Sequence, residues 1–180
     1  MQAVLAGADP ASVSTNTPVD PLLTAAHIAR TRWLALHRFL ALLWTSADVD
    51  ESLHALWAAR DGLEFLPTSS GRPGSDALGP RALRVEIACV WLARAGKHMY
   101  AAKGIWGPRG DDGWDAKKGA PGKGGELWDG VDGYDKGRWE VWKKSLEEVV
   151  SERDVGTNVV EAAKVRLPRS LITRMLTNLL

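Results

Sequence analysis

One cysteine in 180 residues excludes an intrachain disulfide, and with it the framework on which small secreted domains depend. That cysteine, Cys89, lies in the apolar run VEIACVWLA, where a thiol packs as a small hydrophobe and no base is spaced to activate it on the same helical face. Charge of one sign is also lacking. With 23 Lys and Arg against 22 Asp and Glu the formal charge is +1, and binding phosphates needs a basic surface, so nucleic acid is not the expected partner. Long hydrophobic runs are missing too. Each is broken by Arg or His before the roughly 20 residues a bilayer requires, so no membrane span is expected. The opening MQAVLAGADPASVSTNTPVD has neither a basic first segment nor a useful apolar core, which is not the pattern of a secretory signal. The expected location is intracellular, cytoplasmic or nuclear, and not secreted.

Motifs that would specify chemistry are absent as well. GAPGKGG, Gly119 to Gly125, has the glycines of a phosphate-binding loop, but Gly124 stands where Ser or Thr should follow the lysine, Lys117 replaces the first glycine, and no strand precedes it. Asp129 to Glu140 spans the twelve positions of a calcium loop, yet Val131, Gly133 and Tyr134 occupy its third, fifth and sixth places. These aspartates are better suited to turns and helix caps. The histidines His27, His37, His54 and His98 show no metal-binding spacing, and no nucleophile elbow or carboxylate pair stands out. No catalytic residue, metal or cofactor is therefore assigned, and the chain is not expected to be an enzyme.

What is present is a helical pattern and an excess of tryptophan: nine Trp against two Phe and two Tyr. Residues 1–17 are small and polar and read as a disordered lead-in. Leu22, Ala26, Ala29, Trp33, Leu36, Leu40 and Leu43 recur in steps of four and three, which predicts a first helix buried along that stripe. Asp48 with Glu51 suggests a capping box opening a second helix, whose apolar face is Leu53, Leu56, Trp57 and Leu63. The segment 67–80 is a Pro/Gly loop, and a central third helix follows from Pro80 to Lys103, with Gly104 as a left-handed cap. Eleven of the eighteen glycines fall in 104–137, together with Trp106, Trp114 and Trp128. Such a segment is flexible unless its aromatic residues pin it.

A fourth helix begins at the cap Asp135 and buries Trp139, Trp142, Leu146, Val149 and Val150. Beyond it are a short fifth helix from Asn158 and an amphipathic C-terminal helix over 168–180, an atypical tail, with Leu171, Met175 and Leu179 on its apolar face. The fold class is all-α: an irregular bundle of about five to six helices, with a long Gly/Trp-rich loop (104–137) before the fourth helix. Residues 18–167 form its single helical domain.

Three stretches carry a resemblance: Ala55 to Glu64 (ALWAARDGLE), Ala95 to Trp106 (AGKHMYAAKGIW), and Leu127 to Trp142, an LWDG turn leading into RWEVW. Together they resemble a fungal protein family catalogued as domain of unknown function 3632, over about residues 20 to 165. The resemblance implies a helical, intracellular protein and supplies no activity, cofactor or site residue. Function is thus expected to be non-catalytic: a helical module that binds another protein, with Trp106, Trp114, Trp128, Leu171, Met175 and Leu179 as the candidate surface. The alternative is a small-molecule binding protein or enzyme in which the Gly-rich segment is a lid over a pocket, with Trp106 or Trp114 at its tip.

Overall fold

The computed structural model describes residues 21–66 and 81–154. The expected lead-in, the 67–80 loop, the fifth helix and the C-terminal segment with Leu171, Met175 and Leu179 lie outside the described residues. Within them the chain forms α1 (Pro21–Ser46), α2 (Ser52–Leu63), α3 (Arg81–Ala101) and α4 (Lys136–Asp154), with a short 3-10 turn at Ala116–Lys118. The one β-type pairing described is an isolated bridge between Ile105 and Gly133.

The sequence of α3 is apolar on more than one side, and it takes the centre. Val85, Ala88, Cys89, Trp91, Leu92, Ala95 and Met99 are all buried. On one side it receives α2, where Ala55, Ala58, Ala59 and Gly62 are buried along one stripe. Small residues let the two backbones approach closely: a Cβ on Gly62 would stand 2.6 Å from the Arg84 carbonyl oxygen.

Helix α1 also packs on α3, but on a different stripe from the expected one. The inward residues are Arg30, Leu34, His37, Ala41 and Trp44, while Ala29, Trp33 and Leu36 are exposed. The helical period holds and the buried stripe is turned by about one residue, a rotation of about 100°, with Leu40 of the expected stripe still packed against the core. Polar partners set the phase. Arg30 donates to the buried Glu86 carboxylate of α3 at 2.9 Å, and the Trp91 indole N–H donates to His37 Nδ1 at 2.9 Å. The Trp44 ring meets both Trp91 and His98.

Two of the expected helix caps differ as well. Asp48 does not close a capping box, because it takes the left-handed conformation (φ 53°) that turns the chain out of α1. Asp50 instead accepts from the Ser52 amide at 2.9 Å. Gly104 is not left-handed; among the described residues the left-handed glycines are Gly110 and Gly119. Its carbonyl accepts the Tyr134 amide at 3.0 Å, so the chain leaves α3 by pairing with the strand-like stretch ahead of α4. At α4 the expected cap is observed, with Asp135 Oδ1 accepting the Gly137 amide at 2.6 Å. Trp139, Trp142, Leu146 and Val149 are buried as the spacing required.

Candidate functional site

Glu64 and Arg138 are both wholly inaccessible to water, each 0% exposed, and they hold the long segment before α4 in place. Glu64 ends α2 and Arg138 lies in the first turn of α4, so their ion pair joins the two helices. Arg138 Nε donates to Glu64 Oε1 at 2.6 Å and Nη2 to Oε2 at 3.1 Å, a two-point fork only arginine can make. The remaining nitrogen, Nη1, donates to the carbonyls of Gly122 (2.9 Å) and Gly133 (2.8 Å). Trp142 Nε1 adds a bond to Glu64 Oε1 at 2.6 Å, and the Gly125 amide one to Oε2 at 2.8 Å. Two buried charges cost several kcal/mol each to desolvate, and this density of partners is what offsets it.

Further tethers come from α2. Trp57 Nε1 donates to the Pro121 carbonyl at 2.8 Å, with Arg60 Nη1 beside it at 3.3 Å, and the Leu127 amide donates to the Glu64 carbonyl at 3.0 Å. Tyr134 Oη donates to the Ser52 carbonyl at 2.8 Å, and burial pushes its phenol well above the ordinary range. Within the segment, Asp132 is buried and takes Arg109 Nε at 2.9 Å, while Arg109 also donates to the Asp129 carbonyl. Aromatic side chains are among the groups that tie the segment down, through the Trp57, Trp128 and Tyr134 bonds. The glycines serve close approach: a Cβ on Gly122 would lie 2.1 Å from the Asp132 carbonyl oxygen, and one on Gly124 would lie 2.2 Å from that of Trp128. Gly122 donates its amide to Trp106, and Lys123 to Ala120, so these amides face the chain's own acceptors.

The three tryptophans expected at the binding surface are half-buried. Trp106 packs against the core and meets Tyr134 edge-on. Trp128 donates Nε1 to the Val131 carbonyl at 2.8 Å and lies over Gly130 and Gly137, a clasp between the segment and α4. Trp114 donates to the Gly119 carbonyl at 2.7 Å with the Lys118 ammonium over its ring. Among the described residues, no two of these three rings stack on each other. Trp139 and Trp142 form a buried aromatic group with Tyr134.

His37 is half-buried, and desolvation, then the charge of His54, lowers its pKa. A ring that accepts the Trp91 N–H at Nδ1 is neutral, with its own proton on Nε2. Among the described residues no group of three or more His, Cys, Asp or Glu could hold a metal ion. None of the described helices is long and apolar enough to cross a membrane.

One surface remains, and two of its residues, Trp33 and Leu36, belong to the stripe expected in the core. Ile28, Leu36, Phe39 and Leu42 are exposed along the outer side of α1, Phe39 by 55%, with Trp33 at the edge of the row stacked on His37. Exposed side chains of this size in one row are what an interaction surface presents. Their signal lay in the sequence, because α1 is apolar nearly all round.

Among the described residues, four helices with an acid–arginine clasp over a glycine-rich segment are the class these features define. Its clasp residues, Trp57, Arg60, Glu64, Trp106, Trp128, Arg138 and Trp142, fall within the three stretches that carried the resemblance. Residues 12–146 match the model of the family described as Protein of unknown function (DUF3632), and the chain belongs to that family. No curated protein matches it. No solved structure matches it either.

Proposed function

We propose that the protein is a helical protein-interaction module whose docking surface is the outer face of α1. The observation that carries this is the row Ile28, Leu36, Phe39 and Leu42, exposed over about four turns of helix. An amphipathic partner reads such spacing through its own apolar stripe. The tryptophans Trp106, Trp114 and Trp128 support a surface less well, since Trp106 packs on the core and the indole N–H groups of Trp114 and Trp128 are already bonded to carbonyls of their own segment. The stripe of Leu171, Met175 and Leu179 stands as a second surface of the same kind, read from the sequence.

A lid over a ligand pocket is disfavoured by the tethers. Swinging 104–137 open would break the bonds from Glu64, Trp57 and Arg138 together, and would leave a buried ion pair short of partners. A photo-crosslinking amino acid at position 39 should yield discrete protein adducts in cells, and one at the exposed position 140 of α4 should not. Loss of the position-39 adducts on Leu36→Ser completes the expected result. Identical adducts at both positions would end the proposal.

A further inference from the structure

We infer that the partner recognised by α1 is an amphipathic helical segment of another protein carrying a carboxylate within its apolar stripe. This rests on α1 being the docking surface. The observation is the charge on that surface. From Pro21 to Ser46 the helix contains no Asp or Glu, while Arg30, Arg32 and Arg38 are all present. Arg30 is spent on Glu86. Arg32 and Arg38 are exposed, and no hydrogen bond or ion pair joins either to a described residue.

Arg32 is four residues after Ile28, four before Leu36 and seven before Phe39, within about 40° of all three around the helix. It therefore stands inside the apolar row. Arg38 flanks the same row, four residues before Leu42. Covering the row dehydrates Arg32, and a dehydrated guanidinium needs a carboxylate in two-point contact. An arginine surrounded by apolar side chains is also the composition of an interface centre.

A second copy, the chain's own segment 168–180 and a lipid surface fail on the same charge. An antiparallel second copy covering Ile28 to Leu42 would set Arg32 against the other copy's Arg38, and a parallel one would set Arg32 against Arg32. The chain's own segment 168–180 has the apolar stripe but carries Arg169 and Arg174 and no acid. Residues 1–17, small and polar, offer no stripe. A lipid surface would have to take Arg32 in along with the row it sits among, at the cost of a charge entering hydrocarbon.

The test is display selection of random amphipathic helical peptides on the full chain, counter-selected on the double variant Leu36→Ser/Phe39→Ser. The expected peptides lose binding to that variant and carry Asp or Glu within an i, i+3, i+4, i+7 apolar stripe. They bind Arg32→Gln about tenfold or more weakly, Arg32→Lys in between, and each variant melts as the parent does. Selected peptides that depend on Phe39 but lack an acid, and bind Arg32→Gln unchanged, would overturn the partner chemistry and leave the docking surface standing. If no peptide depends on Leu36 and Phe39, the docking surface fails as well. Sedimentation supplies the remaining arms. A dimer, or binding to phosphatidylserine/phosphatidylcholine vesicles, that the double variant abolishes would replace the inferred partner by a second copy or by lipid.

Discussion

Glu64 shows at the scale of one residue how a buried charge is kept. Its carboxylate accepts from Arg138, Trp142 and the Gly125 amide, and its carbonyl accepts from Leu127. Removing the acid strands the guanidinium in the interior, so Glu64→Ala is expected to cost about 3–5 kcal/mol by urea unfolding. Replacing both partners, Glu64→Met with Arg138→Leu, should cost less than the sum of the two single changes. An additive double-mutant cycle would contradict the pairing. Trp142→Phe keeps most of the ring and deletes one bond to a charged acceptor, for about 1.5–3 kcal/mol. At His37 the sign follows from a pKa lowered by burial. The neutral ring is favoured in the folded state, so its contribution is whole above the ordinary value of about 6.5 and is lost as pH falls below it. Urea midpoints at mildly acidic and neutral pH should therefore differ less in His37→Gln than in the parent.

At the scale of the element, α4 and α1 show when periodicity is enough. The outer face of α4 is charged through Glu140, Lys144, Glu147 and Glu148, all exposed, so only one stripe could be buried and spacing found it. In α1 apolar residues lie on nearly every side, and spacing yields a period without a phase. The phase depends on Glu86 and on the Trp91 N–H, which sit in another helix and have no representation in a hydrophobic pattern. Leu34→Ala is accordingly expected to cost about 2–5 kcal/mol, as a core position does. The double variant Leu36→Ser/Phe39→Ser should instead leave the melting transition within about 0.5 kcal/mol of the parent. The reverse order would restore the stripe read from sequence. In the segment before α4 a methyl on Gly122 meets a backbone carbonyl that has no rotamer to change, and Gly122→Ala should cost about 1–3 kcal/mol.

For the whole molecule, α3 supplies the centre, α2 the tethers, and α4 closes the clasp. The family match ends at residue 146, and the core described here ends at Val149. A chain of residues 12–154 is thus expected to unfold in one cooperative transition near the parent's midpoint, followed by circular dichroism. A large fall would show that residues beyond 154 complete the core.

The sequence by itself determined the helical class, the stripe and cap of α4, the burial of Cys89 and the family, because each is written in local spacing or in a run of neighbouring residues. Only the tertiary structure decided which side of α1 is covered, that the glycines permit close contact, and that Glu64 and Arg138 meet. Those outcomes depend on partners 74 residues apart for the ion pair and 54 for His37 with Trp91. A buried charge chooses its place by where its counter-charge can reach it, and that distance exists only after folding.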